Sequence, residues 1–213
     1  VKGGTGYHYQ DGGDPLPSEI EHIYPDYSIY PDLCKDTAYG FLTRGCPRGC
    51  DFCIVGKKEG RCTIKVADIS EFWNGQKNII LLDPNMFACR EWKELSQQLI
   101  DSGAWVDFSQ GCDIRIMTAE KVEYIRQMKI KQIHFAWDRY EDRDRIVPQF
   151  EMFKQLTGWD YRKMTVYILC GFNTTIEQDL ERIYTLRDLG YSPYVMIYDK
   201  YKLKPRDDLR RMQ

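Results

Sequence analysis

Short apolar runs alternate with helical periodicity along most of the chain, and this alternation restricts the fold more than any other feature. Candidate strands are residues 39–44, 78–82, 104–109, 132–137, 165–171 and 194–198. They return roughly every 30 residues, the length of one strand–helix–strand step. Three of the stretches between them carry helical spacing. Trp92, Leu95 and Leu99 share one face, as do Val122, Ile125 and Met128, and Ile176, Leu180, Ile183 and Leu186. Thr174 with Glu177 three residues later predicts a capping box, and Gly190 falls where the last helix should end. Six strands alternating with helices predict an α/β fold with parallel strands and right-handed crossovers. A closed eightfold barrel takes about 250 residues. With 213, six units predict an incomplete barrel or an open sheet, with ligands gathering at the carboxyl ends of the strands.

Residues 1–38 break this pattern. They are rich in Gly, Pro and Tyr, without a clear period, and are expected to be an N-terminal extension or the remnant of a preceding domain. Gly3-Gly4-Thr5-Gly6 lacks the Lys and the strand–helix frame of a phosphate loop. Residues 201–213 form a charged C-terminal tail, expected to lie outside the repeat, which spans 39–200. The net charge of −2 excludes a strongly basic nucleic-acid binder. No run approaches the ~18 apolar residues of a membrane helix, and the start carries no signal-peptide pattern, so a cytoplasmic location and no membrane partner are expected. The chain opens on Val1 and not on Met, which suggests a processed, tagged or truncated piece of a longer protein.

The eight cysteines are unevenly placed. Cys46, Cys50 and Cys53 cluster in Gly45-Cys46-Pro47-Arg48-Gly49-Cys50-Asp51-Phe52-Cys53, directly after the first strand, while Cys34, Cys62, Cys89, Cys112 and Cys170 are scattered. Without a secretion signal, a disulfide framework is not expected. Three thiolates on one short loop can face a common centre, and thiolates favour zinc or iron–sulfur over hard cations. Three ligands on a cubane 4Fe-4S cluster leave one iron open to an exogenous group. Pro47 and Gly49 suit the tight path such a loop needs. Cys62 as a fourth ligand would instead give a structural zinc site or a non-catalytic, electron-transfer cluster. Cys50-x-x-Cys53 alone could form a redox dithiol, which leaves Cys46 unexplained. Cys89, Cys112 and Cys170 have no ligand spacing for an auxiliary cluster and are expected to be buried thiols.

Cys46-x-x-x-Cys50-x-Phe52-Cys53, after the first strand of a six-unit α/β repeat, resembles the signature of the radical S-adenosylmethionine (SAM) enzymes, over roughly residues 39–200. The resemblance implies an incomplete (βα)6 TIM-like barrel. It also implies a 4Fe-4S cluster on Cys46, Cys50 and Cys53 whose open iron chelates the amino and carboxylate groups of SAM. One-electron reduction, from a donor such as flavodoxin or ferredoxin, would cleave SAM to a 5′-deoxyadenosyl radical that abstracts hydrogen from a substrate. The open side of six strands would suit a sizeable substrate, a peptide or a nucleic acid.

The same resemblance directs attention to other strand ends. Phe52 is expected near the adenine. The family holds the SAM amino group after the second strand with a Gly- and Glu-containing motif. Here the segment reads Asp83-Pro84-Asn85-Met86-Phe87, so Asp83 and Asn85 are the candidates, with an Asx-turn as the plain structural alternative. Arg115 could fork onto the SAM carboxylate or simply pair with Asp113. Asp138 is the candidate for the ribose. His134 is a substrate-side group or, more simply, a core residue. The segment 166–173 resembles the family's apolar stretch near adenine, and Tyr194, Met196 and Tyr198 share a face that is either core or contact.

Overall fold

The structure is a computed structural model that describes residues 2–9 and 11–198; the charged tail at 201–213 lies outside the described residues. Its strands are β1 Thr37–Gly40, β2 Thr43–Arg44, β3 Ile64–Lys65, β4 Asn78–Leu81, β5 Trp105–Cys112, β6 Lys129–Ala136, β7 Met164–Cys170 and β8 Ser192–Ile197. Its helices are α1 Ser18–Glu21, α2 Pro31–Cys34, α3 Val55–Lys58, α4 Trp92–Ser102, α5 Ala119–Gln127, α6 Arg143–Thr157 and α7 Ile176–Asp188. The fold is α/β, with one six-stranded parallel sheet in the order β1-β4-β5-β6-β7-β8. Among the described residues β1 and β8 are not hydrogen-bonded to one another, so the sheet is not closed. Among the described residues, no helix is long and apolar enough to cross a membrane.

The chain divides into two compact units, residues 1–110 with 124–131 and residues 111–123 with 132–213. In the first, Ile79 and Leu81 of β4, Val106 and Phe108 of β5, and Leu95 and Leu99 of α4 are buried, as strand alternation and helical spacing require. Residues of the N-terminal segment pack here too: the Tyr27 hydroxyl accepts from Tyr39 N at 2.9 Å and donates to Phe72 O at 2.8 Å. Gly40 is needed at the end of β1, because a Cβ there would lie 2.3 Å from the Phe72 ring.

The second unit contains a fourth long helix beyond the three expected. Helix α6 carries Pro148 in its interior, a residue that breaks most helices. Its buried face carries Ile146, Phe150 and Phe153, and the two phenylalanines pack edge-on, both with Phe135 and Phe150 also with Tyr191. These large aromatic surfaces outweigh the local cost of the proline. Helix α7 is capped one residue later than the sequence suggests. Thr175 and Gln178 form the reciprocal box, not Thr174 and Glu177, and Gly190 follows the helix with a φ of 81°.

Candidate functional site

The expected first strand is in fact two pieces. β1 runs in the sheet, and the chain then leaves it to form β2, paired antiparallel with β3 (Thr43 opposite Lys65, Arg44 opposite Ile64). The three clustered cysteines lie in the excursion between these short strands. Asp83, just past β4, explains the break. Its carboxylate accepts from Leu42 N (3.1 Å), Thr43 N (2.6 Å) and Thr43 Oγ1 (2.6 Å), so it fixes the backbone that delivers the cysteine loop.

Asp83 is 5% exposed, and burial pushes its carboxyl up to about 6 from an ordinary 3.8, against the lowering effect of the Thr43 and Leu42 donors. Because the folded state holds this proton more tightly than the unfolded chain, the contribution is fully present below about pH 4. It is lost as the pH rises through about 6. A rise of this size corresponds to about 3 kcal/mol. Denaturant unfolding of wild type and Asp83→Asn between pH 4 and 7 should show wild type losing about that much more stability. Parallel pH profiles would contradict the assignment.

The loop is tied at its base. Glu59 accepts from Arg44 Nη1 (3.0 Å) and Gly45 N (3.2 Å), Thr63 Oγ1 donates to Gly45 O (3.2 Å), and Cys46 N donates to Gly60 O (3.2 Å). Gly45, at φ 80°, cannot be replaced without collision, because a Cβ would lie 2.1 Å from the Cys62 carbonyl oxygen. Cys46 and Cys50 are half-buried, Phe52 is half-buried, and Cys53 and Cys62 are exposed. Among the described residues, no three His, Cys, Asp or Glu side chains converge to hold a metal ion. Three thiols have little to draw them together until a metal neutralises their thiolates. The donor set fits a soft metal centre in number and type.

Asn85 is brought directly to this loop. It is 2% exposed, its side chain does not cap the following turn, and its Nδ2 lies 3.7 Å from Cys46 Sγ. Its Oδ1 is buried with no hydrogen-bond partner among the described residues. The Asx-turn alternative is therefore not the geometry Asn85 adopts. A cavity of about 190 Å³ in the same unit, lined by His22, Tyr39, Phe41, Arg44 and Glu71 among others, includes none of the predicted site residues.

No protein-family model and no curated protein matches the chain.

The other expected site residues lie in the second unit. Arg115 spends its fork internally: Nε donates to Asp113 Oδ1 at 2.7 Å and Nη1 to Asp142 Oδ2 at 2.9 Å. Asp138 has its carboxyl raised by burial, against the lowering influence of Arg182 and Arg115. His134 is buried and stacks on Tyr167 with centroids 5.1 Å apart and planes at 10°. Tyr194, Met196 and Tyr198 are exposed and so are not core. Cys112 and Cys170 here, and Cys89 in the first unit, are buried, and burial, with Asp179 adding to it, pushes the Cys170 thiol up to about 12. Sequence reasoning missed the anchoring role of Asp83 and the buried Asp179–Arg182 pair of this unit. The only signal for that pair is its i, i+3 spacing on a helix, which many exposed pairs share.

Proposed function

We propose that this chain is a radical SAM enzyme, with Cys46, Cys50 and Cys53 as the ligands of a 4Fe-4S cluster. The observation that carries the reading is the Cys46-x-x-x-Cys50-x-Phe52-Cys53 loop, leaving the sheet just after β1 and meeting Asn85 just after the neighbouring strand β4. When bound and reduced, such a cluster supplies the electron that cleaves SAM to methionine and a 5′-deoxyadenosyl radical. The protein's share is positioning and shielding. Asp83 holds the strand exit from which the loop departs, Gly45 and Gly49 permit its turns, and the half-buried Phe52 offers an aromatic face beside the third thiolate. Asn85 Oδ1, buried and unpartnered among the described residues, is an acceptor of the kind an ammonium group would satisfy, which supports Asn85 as the contact for the SAM amino group. The carboxylate of Asp83 is committed to Leu42 and Thr43, so it acts on the site through the backbone. In this reading the open six-stranded sheet is the incomplete (βα)6 barrel that the family implies, and electrons arrive singly from a donor such as flavodoxin or ferredoxin.

A second reading, a structural zinc site or an electron-transfer cluster with Cys62 as fourth ligand, has one observation in its favour. The β2–β3 pairing, extended by the Thr63–Gly45 bond, brings the Cys62 backbone against the base of the cysteine loop. Anaerobic reconstitution with iron and sulfide separates the two from a bare thiol loop. The proposal expects about four iron and four sulfide per chain. Preferential uptake of zinc, with no iron retained, would sink it.

A further inference from the structure

We propose that Asn85 sets how easily a cluster on Cys46 is reduced, through an Nδ2–H···Sγ hydrogen bond; this rests on the iron–sulfur reading above. The distance is 3.7 Å, within reach of a donor to sulfur, whose radius exceeds that of oxygen. A ligating thiolate has no proton to donate, so the amide end facing it must be the NH₂, the only donor that Asn carries. The carbonyl end is then buried with no partner among the described residues. Leaving a buried acceptor unsatisfied opposes folding, so the orientation is not one that the apo fold would select for its own stability. The backbone leaves little freedom: Asp83, two residues earlier, is held by three donors, and Pro84 fixes the intervening turn.

The consequence for reduction follows from charge. Adding an electron raises the negative charge on the cluster and on its thiolates. A donor on Cys46 Sγ then binds the reduced form more strongly than the oxidised form, which raises the potential. The donor is buried and Cys46 half-buried, so the bond is less diluted by water than one at the surface.

Two near-isosteric variants test this by mediated redox titration of the reconstituted chain without SAM. Asn85→Leu removes the donor, and Asn85→Asp removes it and adds a like charge. Each should lower the one-electron reduction equilibrium about tenfold or more, equivalent to about 59 mV, with Asp at least as large as Leu. The apo Asn85→Leu chain should melt no lower than wild type, since an unsatisfied acceptor has gone. An unchanged potential in Asn85→Leu overturns the inference, as does an apo Leu variant markedly less stable than wild type, which would make the contact structural. Variants that fold but take up no cluster would also overturn it, since Asn85 would then be needed for assembly. Failure of the wild-type chain itself to assemble a cluster would instead remove the iron–sulfur reading, and this inference with it.

Discussion

Replacing Cys46, Cys50 or Cys53 singly with Ala is expected to abolish iron retention after anaerobic reconstitution, while Cys62→Ala keeps the wild-type iron content. In the proposed reading each of the three is one of only three protein ligands, so losing one would leave two thiolates. Two cannot hold a cubane whose fourth position is already open to solvent or SAM. The apo variants should stay folded. The three side chains are half-buried or exposed, where substitutions usually change stability by less than about 1 kcal/mol. Melting curves of the apo proteins therefore separate lost ligation from lost structure. If Cys62→Ala also loses its iron, the four-cysteine reading takes over. If all three loop variants keep their iron, neither reading stands.

The largest effect on stability should come from the second unit. Arg182 and Asp179 on α7 are both fully buried and paired. Arg182 also donates to Trp137 O, just past β6, at 2.5 Å and to Leu169 O in β7 at 2.9 Å. Asp179 accepts from Gly171 N, just past β7, at 3.0 Å. One helix thus satisfies backbone groups where two strands end. Arg182→Met keeps the apolar stem but leaves a buried carboxylate without its counter-charge and two carbonyls without donors. We expect a loss of about 3–5 kcal/mol, read as a lower urea midpoint at an unchanged slope. Arg182→Lys should recover part of it, because a single ammonium cannot reproduce the planar fork. A loss under about 1 kcal/mol for Met would show that the pair is not what holds this end of α7.

The alternation of short apolar runs with helical spacing carries most of the architecture, because each strand–helix step takes about thirty residues. All six sheet strands fall within a few residues of the expected positions, as do α4, α5 and α7. Pro148 argues locally against α6 although Ile146, Phe150 and Phe153 keep helical spacing, and the aromatic packing that offsets the proline is made with Phe135 and Tyr191, distant in sequence. The division of strand 39–44 into β1 and β2 was hidden for a similar reason. It is imposed by Asp83, about forty residues away, and no local propensity encodes such a contact. Among site residues, the cysteine loop was legible because ligand spacing is local. The contact between Asn85 and Cys46 was not, since it requires two strand ends to be neighbours in space. Arg115 and Asp138 stand near strand ends, where the resemblance directs attention, but such a position says nothing about competing carboxylates such as Asp113 and Asp142.

The most direct measurement is of 5′-deoxyadenosine. The reconstituted chain is reduced with dithionite under anaerobic conditions, mixed with SAM, and the products are quantified by mass spectrometry. The account predicts 5′-deoxyadenosine and methionine from wild type and neither from Cys50→Ala. A chain that carries a reducible cluster yet forms no 5′-deoxyadenosine above the Cys50→Ala background would contradict it.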